Sequence, residues 1–298
     1  MPAKKTVTPS FDRLLQRLDE LLDRVENMLP SVGPAPDWKM QAFRWRRRNG
    51  AGTLLGVGTP HRIRLEDLHD IEPQKEAIDR NTRQFVEGLP ANNVLLTGAR
   101  GTGKSSLVKA MLHRYAKKGL RLIEVDKAEL VDLPDIVELV ADRSERFIIF
   151  CDDLSFEASE AAYKALKVVL DGSIASTSDN VLIYATSNRR HLMPEYMQEN
   201  LEYKHVGDEI HPGETSEEKI SLSERFGLWV SFYPFNQEEY LDIVGHWLRE
   251  MGCAKKDLER ARAEALQWAL QRGSRSGRVA WQFARDWAGR HLSGDTKK

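Results

Sequence analysis

The sequence predicts a doubly wound α/β domain on a parallel five-stranded sheet, with a small C-terminal helical lid and an N-terminal helical extension. Three observations predict it. Five short apolar runs, at Val94–Leu96, Leu122–Val125, Phe147–Cys151, Val181–Ala185 and Trp229–Phe232, are β-branched or aromatic and mostly lack polar alternation, as strands buried on both faces do. Amphipathic helical patterns fall between them, at 104–117, 134–142, 156–171 and near 190–200. Beyond residue 236 the strand signal stops, and helical stretches at 237–251, 257–272 and 277–290 follow. The expected divisions are therefore 1–61, 62–236 and 237–298.

At 298 residues the chain is long enough for one large domain or two modest ones without covalent staples. Its 41% hydrophobic and 30% charged content is that of an ordinary soluble protein, which excludes wholesale disorder. Basic and acidic side chains balance to a net charge of −1, so no global electrostatic footprint for nucleic acid exists and only a local one is open. Two cysteines without a CxxC pair exclude a disulfide framework and a cysteine zinc site, and suit a reducing compartment. There is no apolar run of about 18 residues. The first residues, Met1-Pro2-Ala3-Lys4-Lys5, lack the apolar stretch of a signal peptide. The expectation is a cytoplasmic protein with no membrane role.

In chain order, residues 10–29 carry Phe11, Leu14, Leu18, Leu21, Val25 and Met28 at alternating steps of three and four, one stripe of a helix between a Ser10 cap and Pro30. That helix packs on its own protein or pairs with a partner. Residues 30–37 hold three prolines and a glycine and read as a linker. A basic and aromatic segment follows, from Trp38 and Lys39 through Phe43-Arg44-Trp45-Arg46-Arg47-Arg48. Such a mixture stacks bases and holds phosphates, or lies on the main domain; nucleic acid is the less favoured reading. Gly50, Gly52, Gly56 and Gly58 then suggest a flexible stretch.

The chemistry starts after the first strand. Gly98-Ala99-Arg100-Gly101-Thr102-Gly103-Lys104-Ser105 matches GxxxxGK[ST] completely, between a predicted strand and a predicted helix. Glycines let backbone N–H groups turn inward around phosphates, and the helix N-terminus adds partial positive charge. Lys104 is expected to reach the β- and γ-phosphates, and Ser105 to bind Mg²⁺. Forty-eight residues after Lys104, the strand Phe147-Ile148-Ile149-Phe150-Cys151 ends in Asp152-Asp153. Asp152 is expected to hold the metal and Asp153 to polarise the attacking water. An aspartate is one methylene shorter than the commoner glutamate, and Glu157 is the alternative base. The strand Val181–Ala185 turns polar at Thr186-Ser187-Asn188, where Asn188 best suits a water-orienting role, with Ser187 and Thr186 next.

This order of motifs resembles that of AAA+ P-loop ATPases over about residues 62–290. The resemblance implies ATP and Mg²⁺ as cofactors and places the loop from Gly98 through Ser106 around the triphosphate. Asn188 takes the place of sensor 1. Leu65-Glu66-Asp67-Leu68-His69-Asp70-Ile71 resembles the segment that holds adenine, which puts Ile71 against the base. Ser223-Glu224-Arg225-Phe226-Gly227 resembles the box carrying an arginine finger, which maps that role to Arg225. A finger acts on a neighbouring subunit's nucleotide, so the assignment implies a ring or dimer; the alternative for Arg225 is a surface arginine. Ser276-Gly277-Arg278 resembles sensor 2, with Arg278 the candidate and Arg275 its rival. More narrowly, Asn92–Gly98, Asp152–Glu157 and Leu222–Leu228 are similar to a bacterial AAA+ branch known as domain-of-unknown-function family 815.

Other signals carry less. The stretch 193–224 holds nine carboxylates and two lysines and reads as a solvated loop, with a subunit or basic partner as the alternative. His205 and His211 lack zinc-ligand spacing, and Cys151 reads as a core residue. The expected function is an Mg²⁺-dependent ATPase that remodels or assembles an unidentified partner. The alternative is a slowly hydrolysing switch or loader acting through its N-terminal region.

Overall fold

The computed structural model describes residues 15–20, 35–48, 50–60, 63–156, 160–171, 179–189, 204–206, 209–211 and 222–292. The helix expected near 190–200, Glu157 and most of the acidic stretch lie outside them. Of the N-terminal helix, residues 15–20 are helical, with Leu15 and Leu18 exposed.

The strands are β1 (Ala42–Arg48), β2 (Ala51–Gly56), β3 (Val94–Gly98), β4 (Leu120–Val125), β5 (Arg146–Cys151), β6 (Val181–Ser187), the short pair β7 (Lys204–Val206) and β8 (Glu209–His211), and β9 (Leu228–Phe232). The main sheet runs β2-β1-β4-β5-β6-β3-β9, parallel throughout except for the antiparallel β1–β2 ribbon. Side chains alternate between two cores, as the period of two requires. Ile148 and Phe150 of β5 enter one core, and Phe147, Ile149 and Cys151 enter the other. Helices α1 (Glu72–Val86) and α2 (Lys104–Tyr115) contribute to the first core, and α3 (Leu133–Ala141) and α4 (Ala161–Asp171) to the second. The inner strands sandwiched in this way show no polar alternation, which is why their runs are legible, whereas the fifth predicted run, β9, is found at the sheet edge with Trp229 and Ser231 exposed.

The sheet has seven strands rather than the expected five, because residues 42–56 are not a linker. Phe43 and Trp45 alternate with Arg44 and Arg46, so the aromatics enter the core while the arginines face the other way. Trp45 is 4% exposed and its indole N–H donates to Asp132 Oδ2 at 3.0 Å. Trp38 packs on the rings of Phe43 and Phe147. Arg44 pairs with Glu124 at 3.1 Å, Arg47 with Asp132 at 3.2 Å, and Arg46 with Asp126 and Glu129. In the segment that looked able to hold a phosphate backbone, Arg44, Arg46 and Arg47 are matched to this chain's own carboxylates. Gly52 is there for close approach: a Cβ on it would fall 1.9 Å from the Trp45 ring.

Past β9, the helices α5 (Gln237–Glu250), α6 (Lys255–Arg272) and α7 (Gly277–Leu292) form the expected lid. Asn236 starts α5 with a reciprocal cap: its side chain accepts from Glu239 N at 3.0 Å, while Glu239 Oε2 accepts from Asn236 N at 2.7 Å. Ala261, Ala265 and Ala269 make a small-residue stripe on α6, and Tyr240 of α5 donates to the Ala265 carbonyl at 3.1 Å.

Candidate active site

A cavity of about 620 Å³ lies at the carboxyl ends of β3, β5 and β6, under the lid. The turn after β3 supplies its floor. Thr102 folds back on this turn by donating to the Ala99 carbonyl at 2.8 Å. Lys104, 6% exposed, donates to the carbonyls of Gly98 at 2.8 Å and Ala99 at 2.7 Å and to Asn188 Oδ1 at 3.1 Å. Burial holds its ammonium below the ordinary lysine pKa; Arg100 and Arg278 push the same way, while Asp152 and Asp153 oppose.

The acidic pair faces this lysine. Ser105 Oγ donates to Asp152 Oδ1 at 2.6 Å, and Thr186 Oγ1 donates to the same oxygen at 2.5 Å. Thr186 Oγ1 also accepts from Asp153 N at 2.9 Å. Asp153 sits at φ +54°, in the left-handed region. Its carboxylate accepts a hydrogen bond from Asn188 Nδ2, and its other oxygen lies 4.0 Å from the Arg100 guanidinium. Asn188 therefore bridges Lys104 to Asp153. A hydroxyl and a carboxylate oxygen meeting at the loop form the hard, all-oxygen donor pair that suits Mg²⁺, which takes one or two carboxylates and completes its shell with water and substrate phosphates.

The lid closes the other side. Gly277 N donates to the Gly101 carbonyl at 2.8 Å, joining the start of α7 to the phosphate-type loop. Gly101 requires glycine twice over, at φ +74° and with a Cβ position 2.8 Å from Ser276 Oγ. Ser276 caps α7 by accepting from Val279 N at 3.3 Å. Arg278 and Trp281, one turn apart on α7, line the cavity, whereas Arg275 is exposed outside it. An apolar wall is made by Ile71 with Ile63, Leu68, Phe235, Ile243 and Trp247. Ile71 is 4% exposed and heads α1.

Beside that wall, the rings of His69 and His246 lie 4.2 Å apart, bringing the segment before α1 against α5. Arg64 extends this junction, pairing with Asp67 at 2.8 Å and with Glu250 at 3.1 Å.

The structure thus brings together Lys104, Ser105, Asp152, Asp153, Asn188, Arg278 and Ile71. It does not bring Arg225 to them. Arg225 precedes β9, at the opposite end of that strand from Phe235, and pairs with Asp171. Glu157 lies outside the described residues. Ser106 lines the cavity at the start of α2. Cys151 is fully buried with its thiol pKa pushed up to about 12, so it is no nucleophile. Sequence reasoning missed the lid's share of the wall, although Trp281 follows Arg278 by three residues on a predicted helix and so shares its face. It also undervalued Thr186.

The parallel sheet, the glycine-rich turn between β3 and α2 and the acidic end of β5 together define a P-loop fold. The family described as "Protein of unknown function (DUF815)" matches residues 38–291, and the chain belongs to it. No curated protein matches the sequence. Among solved structures, Thermotoga maritima RuvB (K64R mutant) is 15% identical with a TM-score of 0.47, over 74% of this chain and 63% of that one. A chain of the E. coli MS115-1 HORMA:CdnC:Trip13 complex is 12% identical with a TM-score of 0.46, over 74% of this chain and 90% of that one. This chain thus spans less than two thirds of the RuvB chain it matches. Among the described residues, no helix is long and apolar enough to cross a membrane.

Proposed function

We propose that this protein binds ATP with Mg²⁺ in the cavity under the lid and hydrolyses it to remodel or assemble a protein partner. The observation that carries this reading is the continuous polar chain Ser105–Asp152–Thr186–Asp153–Asn188–Lys104, which ties the loop, the acidic strand end and the neighbouring strand end together. Lys104 leaves its own loop's carbonyls for phosphate oxygens, a better partner for a buried ammonium. Ser105 and Asp152 hold Mg²⁺, which when bound neutralises charge developing on the phosphoryl oxygens. Asp153 takes the proton of the attacking water, and Asn188 fixes the orientation of that carboxylate. Arg278 adds positive charge from the lid, and Arg225 supplies it to the neighbouring subunit of a ring or dimer. Ile71 and the apolar wall take the adenine.

The test is nucleotide binding and phosphate release with water as the sole acceptor. Lys104→Ala is expected to abolish tight ATP binding and turnover together; retained affinity in a folded variant sinks the reading. One observation favours the slow switch as a second reading: the short Asp153 side chain is already committed to Asn188, which restrains it from reaching a water. ATP that turns over slowly yet controls partner binding would select that version.

A further inference from the structure

Thr186 lies where the β5–β6 ladder runs out. The last paired residues are Cys151 and Ala185, and beyond them Thr186 holds the chain after β5 in three ways, with Ser187 adding a bond from its hydroxyl to the Leu154 carbonyl at 2.8 Å. Its carbonyl accepts from Leu154 N at 2.7 Å, its hydroxyl oxygen accepts from Asp153 N at 2.9 Å, and its hydroxyl proton goes to Asp152 Oδ1 at 2.5 Å. Two of these three bonds belong to the side chain, which is 1% exposed in total with its backbone.

We propose that Thr186 is a positioning residue that presents both carboxylates of the acidic pair, orienting Asp152 toward the metal and holding Asp153 in its left-handed turn. This rests on the magnesium-nucleotide reading above. The hydrogen-bonding inventory of a hydroxyl supports a positioning role over a direct one. Its single proton is committed to Asp152 and one of its two lone pairs to Asp153 N, so it has no proton to offer a ligand. Asp152 Oδ1 receives two hydroxyl donors, Ser105 and Thr186. When Ser105 turns its oxygen to a cation, the Thr186 bond is the one that keeps the carboxylate aimed. The second bond works on the backbone. A non-glycine residue at φ +54° is strained, and the bond from Asp153 N to Thr186 offsets that strain.

Valine has the shape of threonine and neither bond; serine has both bonds without the methyl. The experiment measures affinity for a fluorescent ATP analogue across a titration of Mg²⁺ and in EDTA, together with phosphate release from ATP, in the full chain and in Thr186→Val, Thr186→Ser and Thr186→Ala. Without metal all four are expected to bind alike, within about twofold. With Mg²⁺, Thr186→Val and Thr186→Ala are expected to lose about 10–100-fold in metal half-saturation and in turnover, the usual cost of removing a partner behind a metal ligand. Thr186→Ser is expected to restore both. Should Thr186→Val fail to fold, Thr186→Ala carries the same prediction. A folded variant without the hydroxyl that keeps the original magnesium dependence overturns the proposal, and so does failure of serine to rescue. If the unsubstituted chain binds no nucleotide, the functional reading falls and this proposal with it. If it binds magnesium nucleotide without hydrolysing it, the affinity comparison still decides the role of Thr186.

Discussion

At the scale of the residue, the acidic pair divides its labour by geometry. Asp152 meets Ser105 at the head of α2, whereas Asp153 is turned away by its positive φ toward Asn188 and Arg100. That division predicts a separation of effects. Asp153→Asn should leave ATP affinity within about threefold and lower turnover by about 10²-fold or more, the range of a lost general base. Parallel binding and phosphate-release assays check it. If Glu157→Gln stops turnover and Asp153→Asn does not, the base assignment is wrong. The loop and the acidic pair were legible in the sequence because each is contiguous and its spacing is set by backbone chemistry. The Thr186 hydroxyl was not, since its importance depends on the β5–β6 register, which brings residue 186 beside residue 153 and which no local pattern encodes.

Among the elements, the junction between α5 and the segment before α1 is the one with a pH signature. His246 of α5 is held below its ordinary pKa of 6.5, first by burial and then by His69 and, more weakly, Arg249; Asp67 and Glu250 pull the other way without prevailing. The charged imidazole is therefore favoured by the unfolded chain. Its stabilising contribution is complete above the ordinary pKa and is lost as pH falls from there through the depressed value. The melting temperature should drop between about pH 7.5 and 5.5, and His246→Gln should flatten that drop. An unchanged slope in the variant would remove His246 from the explanation. The ribbon β1–β2 teaches a different lesson about legibility. Its alternation of Phe43 and Trp45 with Arg44 and Arg46 is a strand pattern, but the density of arginine and glycine suggested a binding segment and a flexible one. What decides the matter is the set of partners, Glu124, Asp126, Glu129 and Asp132, which lie some eighty residues away and meet the ribbon only because β1 pairs with β4.

For the whole molecule, the parallel order of strands was predictable because doubly buried strands have a strong compositional signature, and the lid because its helices follow the last such strand. Assembly is an expectation that rests on resemblance alone. Arg225 lies at the far end of β9 from the cavity and cannot complete its own site, so the finger assignment stands or falls on a second subunit. Mixing Arg225→Ala with Lys104→Ala is expected to recover part of the turnover that each lacks alone, since one subunit then offers an intact loop and its neighbour an intact arginine. No recovery in a mixed assembly that is shown to form would remove Arg225 from catalysis.

The bond from Gly277 to Gly101 couples two variables that would otherwise be independent. On the proposed function, any torque that a partner exerts on the sixteen-residue α7 would reach the Gly101 peptide of the loop directly through this bond. Mechanical load on the C-terminal helices should therefore be felt as a change in nucleotide release rate, and a spent nucleotide leaving should be felt by the client as a displacement.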